Sequence, residues 1–408
     1  MPQDTQSRSR PGALPAAPKG DARTRQAWID GLRLMAGLSM LGLHATADRH
    51  GLPFPSATAE DRLWPMILRT LFYSARTELF VMLSIFLLTL SLKLRPRGYS
   101  QTIRQQAQRL LPPFLFWTAF YSLFSLLKAG HMGYLGAAFT TLGAPETWLS
   151  YLLLGTAKYH LHFIPTLLGL LLFYPLFLAA YTRPWMVLGA CLAVWMKWSL
   201  ERWAYPVFWG NDALPYIIRA IKILSYLGYG LAAAAIAGLW MRHGPSLRRS
   251  IPWAVTLTLL LCGALLLNFK AQTIAKVIAT GRWVFDDPVG YWADFLMPVV
   301  LLLLAMVLTS AKWPKQLPKW APYSLGIYLC HPIFLDIAEV LLPEDIAPIL
   351  QVIFKIAFAL PLTLGLVQLL KRTKALAWTI GLGPPPQIAF LTPFTSKTPA
   401  PQKEETSC

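Results

Sequence analysis

Charge is what this chain has least of. Only 14% of its 408 residues are Asp, Glu, Lys or Arg, where a soluble globular domain carries about 25%. That shortage excludes an ordinary water-soluble fold. With 55% hydrophobic residues and a mean hydropathy of +0.46, the chain reads as an all-α, polytopic membrane protein. Cysteine is scarce as well. Cys191, Cys262, Cys330 and Cys408 follow no metal-ligand spacing, and the first three lie in apolar runs, where cysteine acts as a small hydrophobe. Neither a bound metal nor a disulfide framework is expected. The chain also lacks a Gly-rich loop ending in Lys-Ser/Thr, a His-Glu-x-x-His helix and a Gly-x-Ser-x-Gly elbow. Nucleotide hydrolysis and metalloprotease chemistry therefore find no support. The first apolar run follows a basic leader with no small-residue cleavage site, so it reads as a retained span.

The net charge of +18 would point to nucleic acid in a soluble protein. Here most of it follows from the enrichment of Lys and Arg in cytoplasmic loops, and no nucleic-acid partner is expected. A span needs about 20 apolar residues, which gives about ten spans. They fall near 28–47, 71–92, 110–128, 162–181, 185–200, 216–241, 251–269, 291–311, 322–341 and 347–370. A weaker run, WLSYLLLG within 131–158, reads as re-entrant or interfacial. Alternate loops are basic: Arg95, Arg97, Arg104 and Arg109 follow the second span, and Lys371, Arg372 and Lys374 follow the tenth. The intervening loops hold Asp48, Glu60, Asp61, Glu146, Asp212 and Asp345. An even number of spans with both termini cytoplasmic fits this alternation. Residues 1–26 read as a disordered basic N-terminus, 27–374 as the membrane domain, and 375–408 as a Pro-rich, disordered cytoplasmic tail. No internal repeat and no appended soluble domain is visible.

One stretch departs from membrane norms. WIDGLRLMAGLSMLGLHA (28–45) is long enough to cross a bilayer, yet carries Asp30, Arg33 and His44. At about 100° per residue, Arg33 and His44 share one helical face, roughly 16 Å apart along the axis. Asp30 lies three residues before Arg33 and is placed to orient it. Gly37 keeps the same face narrow, open to a ligand or a neighbouring helix. Ionisable groups inside a membrane line a cavity or pathway, unless Asp30 and Arg33 snorkel to one interface while His44 caps the other end.

The spacing of Arg33, ten residues and His44 within D-G-L-R-L-x-A-x-L-x-M-L-x-x-H resembles the first helix of acyltransferase family 3. ELFVMLSIFLLTLSL (78–92) resembles its second-helix segment, with Ile85 where Gly is usual. QRLLPPFLFW (108–117) resembles its arginine-led third helix. YHLHFIPTLLGLLLFYPL (159–176) resembles its His-Leu-Trp-Phe segment, with His162 in place of Trp. SLGIYLCHPIF (324–334) resembles its late Tyr-Leu-x-His-Pro helix. The ordered match covers roughly 28–370, and the two departures bear on the shape of the substrate cavity.

That resemblance implies a bacterial inner-membrane O-acyltransferase using cytoplasmic acyl-CoA, acetyl-CoA first among the candidates, as a donor substrate rather than a resident cofactor. The implied acceptor is a hydroxyl of a surface polysaccharide, oligosaccharide or glycolipid. Arg33, Arg95, Arg97, Arg104 and Arg109 would dock the CoA phosphates. His44 would act as base, with an acyl-His intermediate left open, and Glu78 would orient its imidazole. Arg76, His162, Arg219, Asp294 and His331 are expected to line the acceptor pocket, while Lys222 and Asp336 add further buried charge. His160 and His162, two residues apart, do not share a helical face and make a poor metal pair. Two other readings stay open: a secondary transporter or flippase for a lipid-linked sugar, and a non-catalytic membrane partner in glycan assembly.

Overall fold

The computed structural model describes residues 26–75, 77–284, 288–343, 345–384 and 386. The described residues form helices and no strand. In chain order the α-helices are α1 (Ala27–Ala45), α2 (Ala59–Tyr73), α3 (Thr77–Leu94), α4 (Tyr99–His131), α5 (Leu135–Gly143), α6 (Pro145–Leu154), α7 (Phe163–Leu171), α8 (Tyr174–Ala180), α9 (Gly189–Phe208), α10 (Leu214–Arg249), α11 (Trp253–Thr280), α12 (Pro288–Val307), α13 (Leu317–Trp320), α14 (Ser324–Leu341) and α15 (Pro348–Arg372).

Among the described residues, seven helical stretches are long and apolar enough to cross a membrane, and the count is eight if α7 and α8, bent by 69°, form one broken span. The ten spans read from the sequence also included α1 and α9, which are not among these seven. α1 carries Asp30 and Arg33, and α9 carries Lys197, Glu201 and Arg202. The polar residues of α1 have a packing reason. Trp28, Asp30, Leu32, Ala36 and Met40 are all buried, so its neighbours shield the helix and it has little need to be apolar all round. WLSYLLLG falls on the short helix α6 and the Gly155 that ends it, and no structure is described for the two tails beyond residues 26 and 386.

Small residues set the close approaches in this bundle. A Cβ on Gly37 would lie 3.2 Å from the Ser324 carbonyl, so the narrow face of α1 receives α14. A Cβ on Gly42 would overlap the Phe72 ring of α2. At the start of α1, Trp28 makes edge contacts with Phe86 of α3 and Trp240 of α10, with centroids at 5.6 and 5.2 Å. α10 is the central post, with the run Ala232–Ala237 fully buried. A Cβ at Gly228 would lie 2.1 Å from the Gly189 carbonyl of α9. Such backbone-to-backbone seams drive helix association in membranes. Gly228→Val is therefore expected to destabilise the fold by about 2 kcal/mol or more through overpacking, read as a lower melting temperature of the detergent-solubilised protein. A melting curve that overlays wild type would refute the seam.

Candidate active site

The C-terminal end of α1 is held from two sides. Arg69 Nη1 of α2 donates to the Leu43 carbonyl at 2.8 Å. Lys355 Nζ of α15, only 1% exposed, donates to the Ala47 carbonyl at 2.8 Å. Cations are favoured at this helix terminus, where carbonyls lack partners. His44 sits in the turn so fixed.

Opposite it, α14 carries His331. Pro332 has no amide to give the Tyr328 carbonyl four residues earlier, which loosens the helix at this point. His331 Nδ1 lies 3.0 Å from the Ile327 carbonyl. The carbonyl accepts from Nδ1–H, so the imidazole presents Nε2 as a lone pair. The His44 and His331 rings stack with centroids 5.7 Å apart and planes 19° from parallel.

A third element is the turn between α6 and α7, GTAKYHLH (155–162). Gly155 has φ +70°, and a Cβ there would lie 2.6 Å from His162 backbone, so only glycine fits. Arg219 of α10 clamps both ends of the turn: it donates to the Leu154 carbonyl, to the His162 carbonyl at 3.2 Å and to Thr166 Oγ1 at 2.7 Å. Tyr328 Oη donates to the His160 carbonyl. So pinned, the turn lays the Tyr159 ring on His44, with centroids 4.0 Å apart, and sets the His160 ring 5.4 Å from that of His331. Tyr121 of α4 packs edge-on to His160 at 5.3 Å and donates to the Leu329 carbonyl at 2.5 Å.

The result is a cluster of imidazoles and phenols inside the bundle. His44 Nε2, His331 Nε2 and both ring nitrogens of His160 are buried with no hydrogen-bond partner among the described residues. Buried polar atoms in native proteins are nearly always paired, so these nitrogens are places for a water, a ligand or a reacting group to bind.

Next to the cluster lies a belt of charge. Asp336 pairs with Lys158 and, at 3.0 Å, with Lys128; Lys128 reaches Glu339 at 3.2 Å, and Glu339 reaches Lys355 at 3.3 Å. Glu339 and Lys355 also line a cavity of about 500 Å³ shared with Asp48, Asp61, Asp345 and Gln351. That volume suits a small organic ligand.

Of the described residues expected from the sequence to contact the acceptor, His331 joins His44 in this cluster. His162 and Arg219 meet each other in the clamp on the turn. Asp294 is ion-paired with Lys270 of α11 at 2.8 Å. Glu78, fully buried, accepts a hydrogen bond from Tyr226 of α10, and the ring packed on His44 is that of Tyr159 instead. Arg76 lies outside the described residues. At the other end of α1, Asp30 is 3% exposed and Arg33 half-buried. Arg95, Arg104 and Arg109 are exposed where α3 ends and α4 begins. Arg97 is half-buried and donates to Ser91 Oγ at 2.6 Å and to Gln105.

Sequence reasoning missed Lys158, Tyr159, His160 and Lys355 as members of the site. Tyr159 and His160 open the YHLHF segment, where attention fell on the departure at His162. Lys355 is a lysine in the middle of an apolar 25-residue helix, a placement that itself signals a buried role.

The described residues thus form a helical bundle with spans of membrane length round a buried imidazole cluster. The chain belongs to acyltransferase family 3: the family's model, described as an acyltransferase domain, matches residues 26–368. It is a membrane acyltransferase. No curated protein and no solved structure matches the chain.

Proposed function

We propose that the protein is a bacterial inner-membrane O-acyltransferase with ten spans and both termini cytoplasmic. It moves an acyl group, acetyl in the first instance, from cytoplasmic acyl-CoA to a hydroxyl of a surface polysaccharide, oligosaccharide or glycolipid. The observation that carries the reading lies on α1 alone: Arg33 stands in its first half, and at its far end His44 holds a buried, unpartnered Nε2.

On this reading the CoA phosphates dock on Arg33, Arg95, Arg97, Arg104 and Arg109, and Asp30 helps to fix Arg33. The thioester end of the donor is delivered to His44. The acceptor hydroxyl enters from the side of the 500 Å³ cavity. His44 takes its proton as the oxygen attacks the thioester carbon, and returns that proton to the departing CoA thiolate. His331, with Nδ1 committed to Ile327, turns its Nε2 side to the same cluster and stacks its ring beside that of His44.

The donor half of the reading has its own test. Arg33→Ala is expected to raise KM for acyl-CoA about tenfold with kcat little changed, the pattern of lost uniform binding and the size of one charge-assisted hydrogen bond. The assay follows CoA thiol release from acyl-CoA by membranes carrying the variant. An unchanged KM would remove Arg33 from the donor site.

A further inference from the structure

Three tyrosines surround the imidazole cluster, and two have their hydroxyls committed to the fold. Tyr121 Oη donates to the Leu329 carbonyl and Tyr328 Oη to the His160 carbonyl. Tyr159 Oη makes no hydrogen bond among the described residues. Tyr159 is also 42% exposed, while His160, Leu161 and His331 beside it are fully buried and Tyr328 is 1% exposed. Tyr159 is therefore the ring of the cluster that reaches furthest to its surface, and its centroid lies 4.0 Å from that of the half-buried His44 ring. The nearby cations have acceptors of their own: Lys158, whose ammonium lies 5.1 Å over the Tyr159 ring, is bound to Asp336, and Arg69 holds the Leu43 carbonyl.

Acyl transfer needs a hydrogen-bond donor where negative charge develops, and a donor already in place there is usually the largest single contribution to catalysis. We infer that Tyr159 is a second catalytic residue, its hydroxyl donating to the acyl carbonyl oxygen in the transition state. The inference rests on the acyl-transfer reading above. In the step, the acceptor oxygen forms a bond to the thioester carbon and the carbonyl π pair moves onto its oxygen, where Tyr159 Oη–H donates. His44 removes the acceptor proton. The carbonyl then re-forms, the C–S bond breaks, and the sulfur leaves with the proton that His44 returns. Tyr159 keeps its own proton throughout.

The test is Tyr159→Phe, which removes the hydroxyl and keeps the ring on His44. Membranes from a strain lacking the chromosomal gene, carrying the wild-type or variant protein at matched level, are supplied with radiolabelled acetyl-CoA. Label entering their own glycans is followed, and the melting temperature of each purified protein is measured. The expected result is a kcat lower by about 10²-fold, the effect of deleting one such donor, with KM for acetyl-CoA and melting temperature at wild-type values. Tyr159→Trp, which restores a ring N–H donor, is expected to recover part of the rate. A Phe variant within twofold of wild type overturns the inference. So does a loss that appears wholly as raised KM, since that marks a ground-state binding contact. A fully active His44→Ala in the same assay overturns the underlying reading instead, so the two failures are told apart.

Discussion

His44→Ala abolishes acyl transfer and leaves the protein folded in the membrane. The two halves of this expected result have separate physical reasons. The catalytic half follows from chemistry: a neutral alcohol is a poor nucleophile, and a positioned base contributes about 10²–10⁴-fold. The folding half follows from what His44 does not do. Its Nε2 bonds to nothing among the described residues, and the end of α1 is held by Arg69 and Lys355 through backbone carbonyls that alanine keeps. The measurements are the initial rate of label transfer from acyl-CoA and the amount of protein in the membrane fraction. Activity within tenfold of wild type would deny His44 the role of base.

Asp336→Ala has the largest expected effect on stability. Asp336 is 5% exposed and binds Lys128 of α4 and Lys158 of the α6–α7 turn together. Removing it strands the Lys158 ammonium, whose side chain is 16% exposed, and leaves Lys128 with Glu339 alone. Breaking a buried ion pair by deleting one partner costs about 3–5 kcal/mol, because the remaining charge is left uncompensated. The expected result is a clear drop in melting temperature in detergent. Asp336→Asn, which keeps an acceptor oxygen, is expected to fall between the two. Activity drops with stability, since Lys158 precedes the Tyr159 that packs on His44. A wild-type melting temperature for Asp336→Ala would show that the belt contributes nothing to the fold.

How much of this was legible in the sequence depends on whether the signal was local. The spacing of Arg33 and His44 on one helix is local, and the structure keeps both on α1. The ordered family segments were legible too, and the family model covers nearly the same range. Pairings between distant segments were not. Asp294 and Lys270 are 24 residues apart, Glu78 and Tyr226 are 148 apart, and Lys128 and Asp336 are 208 apart. A buried charge announces that it has a partner but not which one, so Asp294 and Glu78 stood out singly in the sequence while Lys270 and Tyr226 came only with the fold. The turn that delivers Tyr159 and His160 was illegible for a different reason: it is neither helix nor strand, so no periodicity marks which side chains face inward. For the span count, α1 carries its charged residues on a helix enclosed by its neighbours, and hydropathy alone does not tell an enclosed helix from a short or marginal one.

The central claim is that this chain transfers an acyl group to a glycan hydroxyl with His44 as base. Mass spectrometry of surface glycans and glycolipids tests it most directly, comparing wild type, a deletion strain and a His44→Ala strain at matched protein level. The account predicts that both altered strains lose the same acyl mass increment from the same glycan, with the glycan itself still present at the surface. Loss of whole glycans from the surface of the deletion strain, with acyl groups intact on those retained inside, would contradict it and favour transport of a lipid-linked sugar.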